Sequence, residues 1–111
     1  MNRDVILITQ QGTDGPIHIC RSTRYTAATT VTKLQRGNPA QLTPLRILLA
    51  GEAEHDQLVN AIAGQRIRGS WYHPDAATTL LELPLPRDEN YERELRAAAH
   101  LRTATEAGAR W

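Results

Sequence analysis

The chain contains no phenylalanine, and only two tryptophans and three tyrosines among its 111 residues. Its core must therefore be filled by Leu, Ile, Val and Ala, so each aromatic position carries information. A single cysteine, Cys20, excludes an intramolecular disulfide and with it a stapled secreted scaffold; a reducing compartment is expected. No run approaches the roughly 20 apolar residues that a membrane helix requires. Met1-Asn2-Arg3-Asp4 leads into a strand-like segment rather than the apolar stretch of a secretory signal. A cytoplasmic protein with no membrane partner is the expectation. Acid is also missing from one long stretch, since no Asp or Glu lies between Asp14 and Glu52.

What is present fits one ordinary domain with one modest aliphatic core. The acid-free stretch carries Arg21, Arg24, Lys33, Arg36 and Arg46, and Arg66 and Arg68 follow, while Asp88, Glu89, Glu92 and Glu94 gather late. The chain is thus basic in its middle and acidic near its end, although the formal net charge is only +1. A basic stretch neutralises phosphates and gains affinity through counterion release, but it also serves as an ordinary solvated surface.

Val5-Ile6-Leu7-Ile8 and the alternating Ile17-His18-Ile19-Cys20 predict two strands, over about 4–9 and 16–21, joined by a turn-rich linker that contains Gly12, Asp14, Gly15 and Pro16. Residues 26–35 predict a helix with Ala27, Val31 and Leu34 on one face, ended by Gly37-Asn38-Pro39. A third strand is expected over 45–50, after Pro44, and a helix over 52–63 with Leu58, Val59 and Ile62 inward and Gly64 at its end. Residues 66–74 read as a compact strand or loop holding Trp71 and Tyr72. Asp75 is placed to cap a short helix through Leu83, and Asp88 to cap a last helix through about Thr105 with a narrow apolar stripe that includes Tyr91 and Leu95. The expected fold is α+β: a small three-stranded mixed or antiparallel sheet flanked by helices over residues 1–85. Residues 86–111 are expected to form an added C-terminal helix that packs on the domain or on a partner, a homodimer contact included.

Four strings in order narrow this further. Val5-Ile6-Leu7-Ile8, Gly15-Pro16-Ile17-His18-Ile19-Cys20, Leu34-Gln35-Arg36-Gly37-Asn38-Pro39 and Arg66-Ile67-Arg68-Gly69-Ser70-Trp71-Tyr72 together resemble the short phage and bacterial branch of the GIY-YIG endonuclease superfamily. The resemblance spans residues 5 to about 74. It implies metal-dependent phosphodiester cleavage, with a helix glutamate holding one divalent ion, a sheet tyrosine or histidine handling a proton and an arginine on the phosphate.

At those positions this sequence departs from the pattern. Ile6 stands where the first tyrosine belongs and His18 where the second does; Cys20 replaces the strand-closing glycine. Thr29 or Thr30 occupies the arginine position, His55 and Val59 the glutamate and its partner histidine, and Ser70 the glutamate before the tryptophan. The replacements at Ile6, at Thr29 or Thr30, at His55 with Val59 and at Ser70 fall in four separate elements and give the expectation of a non-catalytic module that needs no cofactor and binds nucleic acid or a nucleic-acid-handling protein. Arg21, Arg24, Lys33, Arg36, Arg66, Arg68 and Tyr72 are the candidate contacts, and Trp71 is the expected aromatic anchor of the core. Two alternatives remain. An active endonuclease with migrated residues would use His18, Glu54 and His55 with Mg2+ or Mn2+ and an arginine at the phosphate. A protein-binding regulator or inhibitor would use the acidic segment from Asp88 to Leu101.

Overall fold

The structure is a computed structural model that describes residues 4–12, 14–23, 26–36 and 41–97. Strand β1, Asp4–Gln11, lies inside the sheet, and its side chains are apolar toward both faces: Val5, Ile6, Leu7 and Ile8 are all fully buried. It pairs antiparallel with β2, Ile17–Thr23, on one side and with β3, Leu42–Leu48, on the other. Beyond β2 stands a hairpin of β4, Arg66–Arg68, and β5, Trp71–Tyr72, with β5 inward. The sheet therefore has five strands, all antiparallel, in the order β3-β1-β2-β5-β4.

This corrects the three-stranded expectation. The Arg66 to Tyr72 segment has no long alternating run, but its two-residue connection, Gly69-Ser70, turns with Gly69 at φ 54°, a conformation in which a side chain is strained. β2 then supplies a free edge, and the Ile19 N–H donates to the Ser70 carbonyl at 3.1 Å. β3 also begins earlier than expected, with Pro44 inside it. An edge strand tolerates proline, and the register shift opposite Ile8 and Thr9 lies beside it. In the β1–β2 linker, a Cβ on Gly15 would stand 2.2 Å from the Gln11 carbonyl oxygen, so only glycine fits there.

Alternation divides the core in two. On one face Ile6, Ile8, Ile17, Ile19, Leu48 and Tyr72 pack against Leu58 of helix α2, Glu52–Ala61, Ile62 just beyond it, and Ala76 and Leu80 of α3, Ala76–Leu81. On the other face Val5, Leu7 and Ile47 pack against Ala27 and Val31 of α1, Ala27–Arg36, and against Leu95. Leu95 belongs to helical residues 89–97, here α4, whose N-terminus Asp88 caps by accepting from the Tyr91 N–H at 3.1 Å. Asp75 precedes α3 without a side-chain capping bond; its own N–H donates to His73 Nδ1 at 3.2 Å.

The free edge of β3 is closed by the chain before α4. The Leu49 N–H donates to the Pro86 carbonyl, the Asp88 N–H to the Ile47 carbonyl, and Leu48 and Arg87 form an isolated bridge. Glu92, expected as part of a solvated or partner-facing acidic surface, is instead fully buried. Its carboxylate accepts from the Ile47 N–H at 2.9 Å and from the Arg87 guanidinium. Residues 98–111, on which the expected homodimer contact partly falls, lie outside the described residues.

Candidate functional site

The ladder decides which candidate residues meet. Residues paired across antiparallel strands share a face, and neighbours along a strand do not. His18 pairs with Thr9 and with Trp71, which places all three on the α1 side. Ile6 pairs with Arg21, on the α2 side. Ile6 and His18, the two strand positions singled out by the resemblance, therefore face opposite ways.

Glu54 and His55 belong to α2, on the face away from His18. Glu54 is engaged locally: its carboxylate accepts from the Gly51 N–H at 3.0 Å, the side-chain half of a capping box for which glycine has no return partner. His55 Nδ1 stands 3.4 Å from Asp56 on the same helix. The three groups that an active enzyme would need are thus divided between the two faces of the sheet. Among the described residues no three His, Cys, Asp or Glu side chains stand together as a metal site. Thr30, at one of the two positions aligned with the arginine, donates back to the Thr26 carbonyl at 3.0 Å. Ser70 sits in the β4–β5 turn.

The basic residues also divide. Arg21 projects to the α2 face, 3.7 Å from Glu52. Arg66 shares the side of Tyr72, and its Nε–H donates to the Gly69 carbonyl at 2.9 Å, closing the hairpin turn. Arg24 lies outside the described residues. Lys33 and Arg68, by contrast, meet at one groove on the α1 face. The groove encloses roughly 490 Å³ and is lined by Gln11, Pro16, Lys33, Leu34, Ile67, Arg68 and Trp71. Arg36 is on the turn of α1 that follows Lys33.

The aromatic pair is placed the other way round from the expectation. Tyr72 pairs with Ile17 and is 3 % exposed in the α2-side core, so its ring offers no stacking surface. Trp71 is half-buried and forms a wall of the groove. Its ring meets His18 edge to face, with centroids 4.8 Å apart. Sequence reasoning preferred Trp71 as a core anchor over a base-stacking residue, and did not place Leu34 or Ile67 at a groove. The available signal was strand alternation, which requires adjacent aromatics to face opposite ways but does not say which faces inward.

Burial lowers the His18 pKa and keeps the ring neutral near pH 7. The unfolded chain takes up this proton first as pH falls below about 6.5, so His18 removes stability on the acid side. His18→Phe is expected to flatten that part of the profile: urea midpoints of the two proteins should diverge in favour of the variant between pH 7 and pH 5, whereas parallel profiles would contradict it. Burial also pushes the Cys20 thiol up to about 11, which makes it a poor nucleophile at neutral pH.

Comparison with known protein families, with curated proteins and with solved structures finds no match. Among the described residues no helix is long and apolar enough to cross a membrane.

Proposed function

We propose that this protein is a non-catalytic GIY-YIG-like module that binds single-stranded nucleic acid in the groove between α1 and the β4–β5 hairpin. The observation that carries the reading is the grouping of a half-buried tryptophan with two cations, Lys33 and Arg68, along an otherwise largely apolar groove. Unpaired bases stack on aromatic faces while cations follow the phosphates, and both are needed to hold a strand without a duplex. A double helix keeps its bases stacked and would present chiefly phosphates to such a groove.

The GIY-YIG part of the reading rests on the four ordered strings. Its non-catalytic part is supported by the replacements at Ile6, His55, Val59 and Ser70, and by the position of His18 on the sheet face opposite α2. Glu54 would have to give up its bond to the Gly51 N–H to serve any other group.

Trp71→Ala tests the reading. It should weaken binding of a short single-stranded oligonucleotide, followed by fluorescence anisotropy, by about 1–3 kcal/mol, or roughly 5- to 150-fold. Unchanged affinity in a folded variant would remove the stacking platform from the account.

A further inference from the structure

Among the described residues two buried side-chain polar atoms have no hydrogen-bond partner, Thr9 Oγ1 and His18 Nδ1, and they belong to residues that face each other across the β1–β2 ladder. Thr9 is fully buried and His18 is 9 % exposed. Their face of the sheet is the one that carries the groove: Gln11 and Pro16, two positions further along β1 and before β2, line it, as does Trp71 opposite His18. Native proteins satisfy nearly all buried polar atoms, because an orphaned donor or acceptor forfeits its bonds to water. Valine and phenylalanine would fill the same space without that loss. Neither residue lines the groove itself, but adjacent orphans on its face of the sheet, one of them against Trp71, are poorly explained by packing and well explained by a ligand.

We propose that Thr9 and His18 form the base-reading end of the groove: a nucleobase stacked on Trp71 turns its polar edge to Thr9 Oγ1 and His18 Nδ1. This inference rests on the single-stranded nucleic-acid reading above. A neutral imidazole nitrogen accepts or donates according to its tautomer, and the threonine hydroxyl does either. Together they match the adjacent donor and acceptor on the Watson–Crick edge of an unpaired base, the edge that single-strand readers use. Trp71, which meets the His18 ring edge to face, stands in a strand of only two residues, backed by a strand of three. An outward shift of this short hairpin admits the base and removes the indole from the His18 ring.

The test compares two oligonucleotides on the full-length protein by anisotropy at one fixed salt concentration. One carries natural bases; the other carries apolar isosteres that stack but do not hydrogen-bond. The natural strand should bind roughly tenfold more tightly, the effect of about one net hydrogen bond. The double variant Thr9→Val/His18→Phe should unfold at no lower urea concentration than the parent and bind both strands equally, at the isostere level. In the imidazole 15N spectrum, the His18 Nδ1 resonance should move with the natural strand and stay in place with the isostere. Should the double variant fail to fold, Thr9→Val and the spectrum decide. Equal binding of the two strands by the parent, with Trp71→Ala still weakening both, would overturn edge reading and leave stacking intact. No binding of either strand would end both readings.

Discussion

Glu92→Ala should destabilise the fold by about 2–4 kcal/mol, measured by urea or thermal unfolding. The fully buried carboxylate holds two groups at once: the Ile47 N–H on the outer edge of β3, and the guanidinium of Arg87 in the chain that bridges that edge. Alanine leaves the amide without an acceptor and the arginine without its counter-charge. Breaking a buried ion pair from one side commonly costs about 3–5 kcal/mol. The Arg87 side chain is one-third exposed and recovers part of its hydration, which sets the lower range. Glu92→Gln keeps an acceptor for Ile47 and loses only the charge, so its loss should be smaller. Hydrogen exchange should show the Ile47 amide losing protection in the alanine variant. A loss below about 1 kcal/mol would mean that the bonds of Glu92 are not what holds the segment before α4 against the β3 edge.

The second large effect concerns binding. Lys33→Glu combined with Arg68→Glu should weaken single-stranded binding strongly at low salt and flatten its salt dependence, by about 0.7 in the slope of log K against log salt for each phosphate no longer neutralised. Arg21→Glu is the matched control. Set against either groove substitution alone, it makes the same change of charge on the α2 face, where Arg21 already stands beside Glu52, and should leave affinity and slope nearly unchanged. Equal effects from both faces would point to net charge rather than to a groove. Both variants alter surface positions and should fold as the parent does.

The sequence makes the core strands and α2 legible because their patterns are strong and local. Val5 to Ile8 is apolar throughout and proves to be an interior strand; Leu58 and Ile62 stand one turn apart and face inward. The added strands were hidden because β4 and β5 are too short to show a period and exist only where β2 offers an edge to pair with. Glu92 was read with its acidic neighbours because nothing local distinguishes it from Glu89 or Glu94. Its burial depends on a contact with Ile47, 45 residues away in sequence. The candidate site was legible in composition and not in arrangement. Lys33 and Arg68 are far apart in sequence and meet only through the sheet order, whereas Arg21 and Arg66, equally basic, are turned elsewhere.

The central claim is binding without cutting, and one incubation tests it. An end-labelled single-stranded oligonucleotide is mixed with the full-length protein in Mg2+ and then in Mn2+, and the same samples are followed by anisotropy and by denaturing gel. The account predicts salt-sensitive binding and a strand that stays full length in both metals. Metal-dependent cleavage that disappears in Glu54→Ala or His55→Ala, or a strand that never binds, would contradict it.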